Sequence, residues 1–159
     1  MIKEFETLAQ RILRLVKEWE PKLEGLQSGV ITQRRNSQNR TIKQIVGHMI
    51  DSASNNTHRI VHLQYRESPL RFPNYASLGN NDRWIAIQNY QEENWGTLVS
   101  LWKYANIHIV HVIRNIDPAK LDRQWYYSDD GLISLEKMIL DYLPHLELHL
   151  GEIEKLLNG

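Results

Sequence analysis

Four long stretches of this sequence repeat apolar residues at every third or fourth position, the period of an α-helix with one buried face. In the first, about Ile2 to Leu26, the stripe is Phe5, Leu8, Ile12, Leu15, Val16, Trp19 and Leu23, and Pro21 is expected to kink or split the helix near its end. The second opens at Thr41, three residues before Gln44. At that spacing each side chain satisfies the other's free backbone N–H. Ile42, Ile45, Val46, Met49, Ile50, Ala53 and Ile60 form its apolar side, to about Tyr65.

The third stretch takes Asp82 as its cap and runs from Trp84 to Ile116, with a bend expected at "QEEN" and Gly96 and a stop at Asp117-Pro118. Ser134 caps the fourth, which carries Glu136 where the helix dipole favours a negative charge and continues to about Leu157. The segments between them, "QSGVITQRRNSQNR", "RESPLRFPNYASLGNN" and "WYYSDDGLI", read as a loop, a long crossover and a turn-bearing connection. No strand pattern stands out. Such a pattern predicts an all-α four-helix bundle with one long crossover, a single domain over 1–159.

Charge narrows the function. Lys plus Arg and Asp plus Glu are 19 each, so the basic excess of a nucleic-acid binder is missing and no polybasic patch addresses a membrane. The N-terminus is charged throughout, with no apolar leader core, and no stretch reaches the length of a membrane span, so a cytoplasmic location is expected. With no cysteine, any metal must rest on His, Asp or Glu.

Seven histidines make such a site worth seeking. His145 and His149, in "HLELH", stand one turn apart on a face shared with Met138, Tyr142 and Ile153, so they point inward and need a partner. His58 and His62 have the same spacing but lie on a polar flank with Ser54, Asn55 and Arg59, where solvation is the plainer reading. His108 and His111, three apart in an apolar helix, read as core-edge residues. His48 belongs to a polar stripe with Asp51, Ser52, Asn55 and Arg59 that runs beside the apolar one. Asp51, one turn from His48, is placed to hydrogen-bond a ligand imidazole or act as a base. Asn55 and Arg59 return to the angular position of His48 about 10 and 16 Å along the axis, where they suit a substrate, Arg59 its distal anionic end.

The segments "TIKQIVGHMIDSASNNTHRI", "FPNY", "RWIAIQNYQEENWGTLVSLWKYAN" and "YLPHLELHL" resemble, in that order, the DinB/YfiT-like superfamily, over roughly residues 37 to 157. The resemblance implies an up-up-down-down-like four-helix bundle. It also implies a metal site of one His on the second helix and two from an H-x-x-x-H on the last, by position His48, His145 and His149. Members include thiol-dependent transferases and metal-dependent hydrolases as well as proteins without demonstrated catalysis, and dimers are common, so a homodimer is expected. The chain departs from the pattern twice. Arg40 stands where many relatives carry Trp. Pro144 precedes His145 inside the last helix and removes a hydrogen bond to the Leu140 carbonyl, at a cost of about 3 kcal/mol.

Three imidazoles with an open fourth position suit zinc or nickel and lower the pKa of water or of a thiol bound there. The leading expectation is a metal-dependent transferase using a low-molecular-weight thiol, or a related hydrolase. The alternative is a non-catalytic metal- or small-ligand-binding protein with a stress-related role.

Overall fold

The apolar stripes fold as four long helices around one core, and the computed structural model describes residues 2–159. The first, α1 (Lys3–Glu24), continues through Pro21 without splitting and ends at Gly25. The expected loop after it contains a short helix, α2 (Ser28–Gln33), which buries Ile31. One and a half turns are too few to show a period, so only burial reveals it. The helix α3 (Ile42–Tyr65) begins with the complete Thr41–Gln44 capping box.

The expected third stretch is two helices. The first, α4 (Asn80–Gln88), starts after Gly79, whose left-handed backbone (φ 76°) suits glycine. Asp82 lies inside its first turn and pairs with Arg40 rather than capping. A left-handed Asn89 and a short 3-10 turn, Tyr90–Glu92, make the bend. Asn94 then caps α5 (Trp95–Arg114), its side chain accepting from the Thr97 N–H at 2.9 Å. Ser134 caps α6 (Leu135–Asn158) in the same way, and this helix runs unbroken through Pro144.

The crossover and the turn segment together form what periodicity had not suggested, a small three-stranded sheet. Its strands are β1 (Leu70–Arg71), β2 (Gln124–Tyr126) and β3 (Leu132–Ser134), ordered β1-β2-β3, with the first pair parallel and the second antiparallel. Strands of two or three residues carry no alternation to read. This sheet brings Trp125 to one end of the bundle.

Within the bundle, α5 lies between α1 and α3, and α6 closes the other side against both. Trp102, Ile12, Ile45, Leu98, Ile109 and Ile153 fill the interior, each side chain of this size contributing about 1.5–3 kcal/mol by burial. The buried Asn106 crosses from α5 to α6 by accepting from Tyr142 Oη at 2.7 Å.

Candidate metal centre

Two helices meet at the site. His48 projects from α3 and His145 and His149 from α6, and one ring nitrogen of each lies within 4.8 Å of the others. His145 Nε2 and His149 Nε2 are 3.1 Å apart. Two nitrogens on one tetrahedral zinc stand about 3.3 Å apart, so this separation suits a shared ion. Among the described residues this is the one cluster of three or more potential ligands that converges in this way.

Two of the three rings are held from behind. His149 Nδ1 lies 3.2 Å from Glu152 Oε2, and Asn36 Nδ2 donates to the same oxygen at 3.0 Å. With its Nδ1–H donated to that carboxylate, His149 turns the Nε2 lone pair to the centre. His145 Nδ1 has a longer contact, 3.4 Å, to Ser52 Oγ. His48 is 3% exposed and its Nδ1 is buried without a partner.

Burial pulls the His48 imidazole down to about 3, with His149, Arg40 and His145 adding to the shift, and pulls His145 down to about 4. His149 is lowered too, again mainly by burial, against the opposing pull of Glu152. All three are therefore neutral near pH 7, the form that ligates. Arg40 is one physical contributor. It is buried, bonded to Asp82 at 3.0 Å, and its charge disfavours protonation of the three rings.

Asp51 does not hydrogen-bond any imidazole. Its Oδ1 accepts from Tyr90 Oη at 2.6 Å and Gln88 Nε2 at 2.8 Å, its Oδ2 is buried without a partner, and burial pushes its carboxyl up. The carboxylate that reaches a ligand ring is Glu152, and its signal was the H-x-x-E spacing to His149. Gly47 permits the Tyr90 contact, because a Cβ there would fall 2.1 Å from the Tyr90 ring.

Farther along α3, Asn55 Nδ2 donates back to the Asp51 carbonyl at 2.9 Å, and the neighbouring Asn56 lines the adjoining cavity. Arg59 lines that cavity too, as do Ser52 and His145. His108 and His111 are exposed on α5, not at the core edge.

No protein-family profile matches the chain. It is 25% identical over 166 aligned positions, 98% of this chain and 84% of the relative, to a Halalkalibacterium halodurans protein named "Putative metal-dependent hydrolase". In structure it is similar to YfiT from Bacillus subtilis, described as a probable metal-dependent hydrolase with an unusual four-helix bundle topology (TM-score 0.82, 19% identity, 98% of this chain and 87% of that one). It also resembles a mycothiol-dependent maleylpyruvate isomerase (TM-score 0.74, 12% identity, 94% of this chain and 60% of that one). The chain thus has the four-helix-bundle fold of YfiT. It carries a three-histidine cluster able to share one divalent ion.

Proposed function

We propose that this protein is a metal-dependent transferase that uses a low-molecular-weight thiol, or a related hydrolase, with zinc or nickel held by His48, His145 and His149. One observation carries the reading: three neutral imidazoles converge from two helices, and one of them keeps a buried nitrogen without a partner. A divalent ion on three nitrogens supplies a Lewis acid with an open position and lowers the pKa of a thiol or water there. The chain has no cysteine, so a thiol must come from a cosubstrate. Such thiols stay reduced in the cytosol, which supports a cytoplasmic location. The relatives named for metal-dependent hydrolysis and for a mycothiol-dependent isomerisation support both versions.

The chain's own residues have separate tasks. Glu152 and Ser52 orient the rings of His149 and His145. Asp51 fixes α3 against Tyr90. Arg59 faces the cavity beside His145 and binds the substrate, with Asn55 shaping the helix between them. Val61, Leu101, Tyr104 and Ile107 leave apolar surface exposed on α3 and α5, which suits a homodimer. Among the described residues no helix is long and apolar enough to cross a membrane.

A second reading, metal binding without catalysis, is favoured by the burial of Asp51, the one acid on the His48 stripe, away from any ligand ring. The two are separated by incubating zinc- or nickel-loaded protein with a soft electrophile, with and without added thiols. Turnover that requires thiol and disappears in His149→Ala supports the transferase. Turnover equal with and without thiol supports the hydrolase, and none in any mixture supports the binding protein.

A further inference from the structure

We propose that the cavity beside His145 is a carboxylate-binding subsite, in which Arg59 holds the acid group of a small planar organic acid. The placement of the acid's other end near the histidines rests on the proposed metal centre. The carboxylate site itself does not.

The cavity measures about 190 Å³ and is walled by Ser52, Asn56, Arg59, Tyr75, Trp125 and His145. Its size is below the usual 300–1,000 Å³ or so of drug-sized pockets, which limits the ligand to a small molecule. Arg59 is 5% exposed, yet among the described residues it makes no ion pair. Its guanidinium carbon lies 4.2 Å from the centre of the Trp125 ring and 5.2 Å from that of Tyr75. Its one hydrogen bond runs from Nη2 to Asn74 Oδ1 at 3.2 Å, and Nε is sealed without a partner.

A buried cation without an anion is costly, and charged side chains are seldom buried unless paired. The aromatic rings offset part of that cost and hold the guanidinium plane fixed, and Nη1, with no hydrogen-bond partner among the described residues, is left for a ligand. A planar fork favours a carboxylate. Arg59 is the only cation in the cavity wall, whereas a phosphoryl group, with more charge and a third oxygen, calls for further donors. Asp141, at the rim, is paired with Lys137 one turn earlier and does not occupy Arg59. The Trp125, Tyr75 and Tyr142 rings supply flat apolar walls, which suit an aromatic or conjugated body.

The test is titration of the full chain with benzoate, benzamide and inorganic phosphate, following the Trp125 indole N–H by NMR. The indole signal is assigned through Trp125→Phe, and metal content is measured in each sample. Benzoate is expected to move the Trp125 signal and to bind at least about tenfold tighter than its neutral isostere benzamide. The same preference should survive in His149→Ala, which tests the subsite without the metal centre, and should vanish in Arg59→Met. Equal binding of benzoate and benzamide, tighter binding of phosphate, or a preference that persists in Arg59→Met overturns the proposal. Benzoate binding that is lost with the metal in His149→Ala places the carboxylate on the ion and likewise overturns it. If Arg59→Met does not fold, the benzoate and benzamide comparison in His149→Ala, which lacks the metal centre, still decides.

Discussion

Two H-x-x-x-H pairs in this protein are almost the same object locally. In both, the rings are 4.4 Å apart and nearly perpendicular, and the two Nε2 atoms are 3.1 Å apart. They differ in what lies across from them. His145 and His149 face His48 of α3, whereas His58 and His62 face Phe72, whose ring lies 5.2 and 5.3 Å from theirs. Behind the first pair stands the Glu152 carboxylate; behind the second, the Tyr65 hydroxyl, 3.0 Å from His62 Nδ1. Spacing along one helix therefore presents two nitrogens, and the tertiary fold decides whether a third ligand and a supporting acid join them.

The largest expected effect breaks this contrast if it fails. His149→Ala should abolish stoichiometric metal in protein purified without a chelating tag, while His62→Ala should leave it unchanged, as read by elemental analysis. Equal metal in the two variants would show that the inward pair is no more a ligand set than the outward one.

Acid should distinguish the pairs next. In metal-free protein His48 and His145 stay neutral down to about 3 and about 4, chiefly because burial disfavours their charged forms. The unfolded chain binds protons from about 6.5 downward, so their contribution is flat above that pH and stability falls from about 6.5 down to about 4 for His145 and about 3 for His48. At about 1.4 kcal/mol per unit, the two together cost the fold several kcal/mol in that window. Thermal unfolding against pH should show a shallower acid slope for His48→Leu and a smaller change for His62→Leu, whose imidazole is also lowered by desolvation and by His58 but is screened by solvent.

Glu152→Ala should weaken metal binding about 10- to 100-fold, with part of the loss recovered in Glu152→Gln, whose side-chain oxygen still accepts from His149 Nδ1. Tyr65→Phe, the matching change behind the outer pair, should alter nothing in a chelator competition. Gly47→Ala acts from the third-ligand side. The new methyl collides with the Tyr90 ring, so α3 or Tyr90 must shift, at a cost of roughly 1–3 kcal/mol in chemical unfolding, with looser metal binding because His48 is the next residue.

The sequence made some of this legible and hid the rest, for physical reasons. Long amphipathic helices announce themselves, so the four bundle helices, the Thr41 box and the Ser134 cap could be read directly. The inward direction of His145 and His149 followed from Met138, Tyr142 and Ile153 on the same stripe. Features made by few residues across long separations could not be read. These are the one-and-a-half turns of α2, the strand pairing of Leu70 with Trp125, and the link of Asn36 to Glu152 across 116 positions. Asp51 does not hydrogen-bond an imidazole, and this could not be read because helical spacing puts a residue near its neighbour without saying which way its carboxylate turns. Tyr90, 39 residues away, settled that.

The smallest expected effect sharpens the comparison from the opposite side. If the outer pair lacks only a third ligand, Phe72→His should supply one, since the Phe72 ring already sits at similar distances from both histidines. Calorimetric titration with zinc should then show a second equivalent, bound more weakly than the first. It is weaker because no carboxylate orients His62, because solvent competes at an exposed site, and because Phe72 belongs to the crossover rather than to a bundle helix. His62→Ala in that background should remove the second equivalent and spare the first. A second equivalent as tight as the first would mean that the support behind His149 contributes little, and a missing one would mean that helical anchoring of the third ligand, as His48 has in α3, is itself required.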